Sequence, residues 1–412
     1  MRSYREILTL PGAWKFSAAG LLARAGGAMM GIGTVLMVSA LYGSYGLAGA
    51  LAAANGVSWA VGTAVLSNLV DRYGQRRVMF PAILVSAVSL GLVVAFALWA
   101  LPAWTLFPPA LVSGFTGGSP GALVRARWNH VIENPRQLHT AYALESTLDE
   151  LTFVVGPVAA TALSTQVHPT AALVAPIVLG LLGAQLFYSQ RSTEPPPVPP
   201  KPAAERPPFV SRLILLVPGV GPVIAVNLLI GCVFGSIDVS VVAAATGWNM
   251  RGASGAVLAV FSLASGVAGF VYGSRGWSSP LSRRFLVGVV LLFVFASPMP
   301  FISSIVALAL IGVLVGATVA PTLINGNTLV GRLVPHGRLT EGLSWMGTGI
   351  GIGASIGSSI SGAVIDDAGH RGGLVIVVLF AALAALVALA STRTLHRASV
   401  HHDEVVLAAE AG

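Results

Sequence analysis

The stretch Leu374-Val-Ile-Val-Val-Leu-Phe-Ala-Ala-Leu-Ala-Ala-Leu-Val-Ala-Leu-Ala390 carries no polar side chain on any face of the helix it would form. A helix packed on a water-soluble core keeps a polar stripe. One that is apolar all round belongs in hydrocarbon, where about 20 residues rising ~1.5 Å each cross a ~30 Å core. Residues 286–296 read the same way. A transmembrane β-barrel would instead show segments of about ten residues alternating apolar and polar.

Outward from that run, similar stretches recur along all 412 residues. They lie near 16–41, 47–69, 78–100, 104–128, 140–164, 170–189, 220–246, 253–274, 284–301, 304–330, 341–364 and 372–391. Hydrophobic residues make up 55% and charged residues 9%, with a mean hydropathy of +0.82, whereas soluble domains carry charge on about a quarter of their residues. The expected fold class is therefore all-α integral membrane, with twelve transmembrane helices in two six-helix pseudo-symmetric bundles. Residues 1–11 hold Arg2, Arg5 and Glu6 and no small-residue cleavage site, so the first helix is expected to stay.

Several chemistries fall away at this stage. Cys232 is the one cysteine, which excludes disulfides and Cys-based metal sites. His130, His139, His336, His401 and His402 show no metal-ligand spacing, so neither metal nor cofactor is expected. No GxxxxGK[ST] loop exists for ATP, and Gly347-Thr-Gly-Ile-Gly-Ile-Gly353, inside an apolar run, reads as helix packing rather than a nucleotide loop. No Ser-His-Asp set can be assembled, and the chain is not expected to be an enzyme.

The net charge of +8 does not form a nucleic-acid patch, because the basic residues fall at alternate loops. With both ends cytoplasmic, every Lys and Arg except Arg24, Arg251 and Arg371 lies at the inner face, as positive-inside topology requires. The predominance of Arg, Ala and Gly suggests a high-GC bacterial genome, hence a multi-pass protein of the bacterial inner membrane. A monomer is expected, with a small solute, protons and the lipid bilayer as partners and no nucleic acid.

Residues 190–212 contain Glu194-Pro-Pro-Pro-Val-Pro-Pro-Lys-Pro and Arg206-Pro-Pro, which cannot be helical throughout. They divide the chain into a bundle at 1–189, a cytoplasmic linker at 190–212, a second bundle at 213–398 and a cytoplasmic tail at 399–412. An offset of 201 residues sets Gln137-Leu-His-Thr-Ala beside Arg338-Leu-Thr-Glu-Gly and Pro120 beside Pro321, which points to parallel duplication.

Between the second and third spans, Ser67-Asn-Leu-Val-Asp71-Arg72-Tyr-Gly74-Gln-Arg76-Arg77 resembles the signature loop of the major facilitator superfamily, G-x-L-x-D-R-x-G-R-R/K. Ser67 stands for the leading glycine and Gln75 for the first trailing basic residue. The resemblance implies secondary transport by alternating access, with Asp71, Arg72, Gly74 and Arg76 in a cytoplasmic latch. Arg125 and Arg127, ending the fourth span, join that gate or else only anchor it by positive charge. Gly156-Pro157 in the fifth span resembles the helix-bend signature of antiporters, with Thr152, Ala159 and Ala160 replacing its glycines, and favours export. The fourth-span arginine of many proton-coupled exporters has no counterpart among residues 104–114.

Charges inside spans mark transport pathways. Arg24, Asp149 and Glu150 fall at matching depths in the first and fifth spans, so an ion pair of Arg24 with Glu150 or Asp149, or both, is expected. Two carboxylates facing one cation leave one without a countercharge, a place for a proton. Glu145 shares a face with Asp149 more closely than with Glu150, and Arg125 is its expected answer. A permanent structural salt bridge is the competing reading. Asp238 in the seventh span is the second proton-site candidate. Asn55, Trp59, Asn227, Asn325, Asn327 and Trp345 are candidate cavity residues, with helix-to-helix hydrogen bonds and lipid-facing tryptophan as the alternatives. The function these features favour is proton-driven efflux of a small organic compound or drug; the alternatives are a symporter importing a small metabolite and a non-transporting scaffold or sensor.

Overall fold

The computed structural model describes residues 2–197, 217–273, 277–334 and 339–395. They form α1 (Arg2–Leu8), α2 (Ala13–Tyr42), α3 (Tyr45–Tyr73), α4 (Gln75–Leu98), α5 (Phe107–Gly117), α6 (Pro120–Val131), α7 (Pro135–Gln166) and α8 (Ala171–Ser189). After these come α9 (Val220–Gly247), α10 (Ser254–Gly273), α11 (Leu281–Ala296), α12 (Ile305–Leu333) and α13 (Leu339–Ala390). There is no strand among the described residues. Ends are set locally: the Ser44 hydroxyl accepts from Leu47 N at 3.0 Å to start α3, and Ser304 does the same for α12 from Ala307 N at 3.2 Å.

Nine helices among the described residues are long and apolar enough to cross a membrane. The expected twelve crossings are consistent with this, and the differences have local causes. The span expected near 104–128 is two helices, because Gly118 (φ +63°) breaks it and Pro120 restarts it. The spans near 341–364 and 372–391 lie on either side of Gly369 (φ +68°), where α13 leaves helical geometry and divides into two helices. Helix α7, with Glu145, Asp149 and Glu150 and several Thr, Ser and Gln residues, is less apolar than the other long helices. Exposed stripes such as Leu84, Val88 and Leu92 on α4 are the lipid-facing surface such a protein needs.

Backbone contacts divide the chain into one unit of Met1–Lys201 with Arg251–Ala259, and a second of Pro202–Met250 with Val260–Gly412. In the first, α2 packs on α7 and α8, α3 on α5, and α4 on α5 and α8. One end is sealed by Ile7, Phe16, Met79, Trp128, Phe187 and Tyr188, with Phe16 and Trp128 edge-to-face at 4.7 Å. The segment that starts α10 belongs to this unit: Arg251 Nη2 donates to Leu36 O and Ser39 Oγ, both at 2.8 Å.

In the second unit, α9 lies along α13. Side chains at Gly231 and Gly235 would overlap the carbonyls of Ile350 and Ala354, and side chains at Gly353 and Gly357 those of Leu228 and Cys232. Glycine at all four lets the two backbones touch, the small-residue packing that holds helices together in lipid. Ser236 Oγ donates to Gly357 O at 3.1 Å, and the Ser240 and Ser361 hydroxyls share a 3.2 Å hydrogen bond. Most of the Pro-rich connection, residues 198–216, and the tail at 399–412 lie outside the described residues.

Candidate functional site

Ser17, Gly20 and Arg24 lie one turn apart on one face of α2, Glu145 and Asp149 one turn apart on α7, and Arg125 and Trp128 likewise on α6. These faces meet. Arg24 Nη2 is 2.5 Å from Glu145 Oε2, and Arg24 Nη1 is 2.8 Å from Asp149 Oδ1. Arg24 Nε donates back to Gly20 O at 3.1 Å. Arg125 Nη2 reaches Asp149 Oδ2 at 2.7 Å. Glu145 Oε1 accepts from Ser17 Oγ at 2.6 Å and from Trp128 Nε1 at 2.7 Å. Two guanidiniums and two carboxylates thus form a chain of ion pairs, Arg125–Asp149–Arg24–Glu145, with no net charge.

The members differ in their access to water. The Glu145 side chain is fully buried and that of Arg24 is 7% exposed, whereas Asp149 and Arg125 are 27% and 34% exposed. Removing one partner of a buried pair strands the other charge, at a cost of about 3–5 kcal/mol. Gly121 leaves space beside both arginines, since a Cβ there would lie 3.1 Å from Arg125 Nη1 and 3.5 Å from Arg24 Cδ.

Arg24 reaches Asp149, as expected, and Glu145 with it, because residues four apart share the helix face turned to α2; the Glu150 side chain lies outside the described residues. One pairing differs from the sequence expectation. Arg125 answers Asp149 and not Glu145, whose oxygens are already occupied by Ser17, Trp128 and Arg24. Asp149 therefore has two countercharges, Arg24 and Arg125.

At the α3–α4 turn, Asp71 and Arg72 are exposed, and Gly74 adopts φ +92°, a conformation that disfavours any side chain. The backbone N–H of Arg76 donates to Glu194 Oε1 at 2.9 Å, so Glu194, from the start of the Pro-rich connection, caps α4. Arg127 is fully buried and faces the same connection: Nε donates to Gln75 Oε1 at 2.9 Å, and Nη1 to Gln190 O at 2.9 Å and Thr193 Oγ1 at 3.1 Å. Its guanidinium also stacks 3.8 Å from the Phe187 ring centroid. Gln75, Thr193 and Glu194 were missed from sequence; the substitution of Gln75 for a basic residue was the one available signal.

The remaining candidates do not converge on one place among the described residues. Asn55 Nδ2 donates to Ala110 O at 3.0 Å and Trp59 Nε1 to Gly118 O at 2.6 Å, so both tie α3 to the broken α5–α6 segment. Asn325 Oδ1 accepts from the Tyr272 hydroxyl at 2.8 Å, which in turn accepts from Arg284 Nη1 at 3.1 Å. Asn227 is buried on α9, and neither end of its amide has a partner among the described residues. Asn327 and Trp345 are exposed. Asp238 is half-buried on α9, without a hydrogen-bond or ion-pair partner among the described residues. Gly156 packs on Ala28 of α2, and Pro157 lies inside α7.

Comparison with known proteins agrees with this architecture. The family model described as Major Facilitator Superfamily matches residues 16–284 and 239–407. No curated protein sequence matches the chain. Among solved structures, the nucleoside transporter NupG is similar at a TM-score of 0.69 and 12% identity, over 93% of this chain and 98% of that one. The POT family transporter PepTSo is similar at 0.70 and 12%, over 94% and 98%, and an auto-inhibited POT family peptide transporter at 0.70 and 14%, over 94% and 97%. At such identity these likenesses establish the fold alone.

Proposed function

Because the chain belongs to the major facilitator superfamily, and so is a multi-pass membrane transporter rather than an enzyme, we propose that it moves a small organic solute by alternating access in exchange with protons, exporting it from a bacterial cytoplasm. The Arg125–Asp149–Arg24–Glu145 chain of ion pairs is the coupling element of this reading. One observation carries it: four charged side chains form a continuous network among membrane-spanning helices, and its outer pair, Arg125 and Asp149, is partly exposed. Buried intramembrane charges are costly and mark ion and substrate pathways.

Asp149 is the member that exchanges a proton. Water reaches it, and protonation would weaken its bonds to both guanidiniums, loosening α6 and α2 from α7. Glu145, enclosed by three donors, holds Arg24 in position. Asp238 is a second proton site in the other unit, and Asn227, with an unpartnered amide, is the polar group there best placed to meet a solute. Asp71, Arg72 and Arg76 serve the cytoplasmic latch, on a turn that Gly74 permits and Glu194 caps. The protein acts as a monomer with both ends in the cytoplasm.

Export by antiport is favoured by Gly156-Pro157. Co-transport is a second reading, favoured by the electrical neutrality of the four-residue chain: protonating Asp149 leaves it one positive charge in excess, which attracts an anion. In proteoliposomes with an imposed proton gradient, a carried solute should accumulate against its own gradient, outward for antiport and with the proton for symport. The Asp149→Asn protein should lose this accumulation; wild-type rates in that variant would refute the assignment. One charge crossing 100 mV supplies about 2.3 kcal/mol, enough for roughly fiftyfold accumulation.

A further inference from the structure

We propose that Arg125 is the docking point for an anionic group on the transported solute, a carboxylate in the simplest case, and that Asp149 occupies this point while the solute is absent. This rests on the ion-pair chain being the transport site.

Donors and acceptors in the ion-pair chain are unequally spent. A guanidinium has five N–H bonds to give. Arg24 spends its donors on Gly20 O, Glu145 and Asp149 and is enclosed. Arg125 makes one hydrogen bond among the described residues, to Asp149 Oδ2, and its side chain is one-third exposed. On the acceptor side, both oxygens of Glu145 and both oxygens of Asp149 are already engaged. The exposed end of the chain therefore has four N–H bonds of Arg125 to spare against the two lone-pair sites left on Asp149. A solute that fits it brings oxygens, and the guanidinium's planar fork suits a carboxylate on two of them. A cationic solute would compete with two guanidiniums for the lone pairs left on Asp149.

Binding of solute and proton together, as the co-transport reading requires, follows from the same count. When a solute carboxylate takes Arg125, Asp149 keeps Arg24 but loses half its countercharge, and it now lies near Glu145 and the solute's own charge. A proton from water settles there. Among the described residues, the groups facing Asp149 are Arg24 on α2, Arg125 on α6 and Glu145 on its own helix. Arg251 is committed to Leu36 O and Ser39 Oγ, α8 has no ionised side chain, and Arg5 and Glu6 on α1 are exposed. Empty, the chain has two positive and two negative groups. Loaded with one anion and one proton it again has two of each, so both states avoid an uncompensated charge in a medium of low dielectric.

The test uses full-length protein in lipid nanodiscs and three probes of one shape: benzoate, benzamide and benzylamine. Calorimetric titration in two buffers of different ionisation enthalpy measures affinity and proton uptake together. Benzoate should bind at least tenfold more tightly than benzamide or benzylamine, more tightly in mildly acidic than in neutral buffer, and with net uptake of a proton. Arg125→Gln should lose the preference for benzoate, and Arg125→Lys should retain part of it, since charge stays while the fork is lost. Thermal unfolding identifies a misfolded Gln variant, in which case wild type against Arg125→Lys reads the same effect.

No preference for benzoate in wild type, or an undiminished preference in folded Arg125→Gln, overturns the proposal. So does an equal loss of all three probes in Arg125→Gln. Benzoate binding at Arg125 without proton uptake and without gradient-driven benzoate flux upholds the anion site and removes the proton coupling. Asp149-dependent, proton-driven flux confined to neutral or cationic solutes upholds the coupling and removes the anion site.

Discussion

The joint between α2 and α7 in the first unit and the joint between α9 and α13 in the second occupy matching places in the sequence repeat and are held together by different physics. At the offset of 201 residues, Glu145 corresponds to Met346, Asp149 to Ile350 and Arg125 to Gly326. Where the first unit has Arg125 against a carboxylate, the second has the Met346 methyl beside Gly326, 3.1 Å from where a Cβ would stand. Gly156 and Gly357 are glycine in both repeats and both face the first helix of their own half, Ala28 and Cys232 respectively. One joint is electrostatic, dependent on the partners' ionisation and partly wet. The other is backbone against backbone where Gly231, Gly235, Gly353 and Gly357 meet the facing carbonyls. Under the proposed mechanism, protonation of Asp149 acts on the first joint.

Several measurements would break or sharpen this contrast. The largest effect is expected from Glu145→Ala, which takes from buried Arg24 one of its two carboxylates and from Ser17 and Trp128 their acceptor; stability should fall by about 3–5 kcal/mol, read by thermal unfolding, and replacing Arg24 with Met in the same protein should recover part of it. If the single variant is as stable as wild type, the electrostatic account of this joint fails. In the other joint, Gly235→Val should cost about 3 kcal/mol by driving α9 from the Ala354 carbonyl, by the same amount in acidic and neutral buffer. A pH-dependent loss there would erase the distinction between the joints.

Asp149→Asn should alter stability less than Glu145→Ala, because water reaches the site, yet reduce gradient-driven flux at least tenfold in proteoliposomes. A variant that keeps its flux would make the chain of ion pairs structural in both members. The smallest change is expected at the α3–α4 turn: Glu194→Ala removes the cap on the Arg76 N–H and should lower stability by about 1 kcal/mol, with no preference for either joint.

Much of this was legible before any coordinate. A 3.6-residue period puts Glu145 and Asp149 on one face, and depth counting puts Arg24 opposite Asp149 and Glu150. The choice between Asp149, Glu145 and Glu150 as partners could not be made that way, because it depends on how α2 and α7 rotate about their own axes, and apolar all-round helices leave no stripe from which to read a rotation. Arg125 shows the same limit: its long side chain spans more than one turn, so its partner was settled by which carboxylate oxygens Ser17 and Trp128 had already filled. The clasp of Arg127 on Gln75, Gln190 and Thr193 joins residues up to 66 positions apart, and periodicity says nothing about that distance.

The sequence alone determined the class of solvent, the repeat and the family loop, because those follow from composition, run length and spacing along one chain. Tertiary structure decided who pairs with whom. Hydrogen bonds and ion pairs between helices depend on rotation and depth to within an ångström, and these are set by the summed packing of glycines, methyl groups and aromatic rings on neighbouring helices, which no local window of the chain contains.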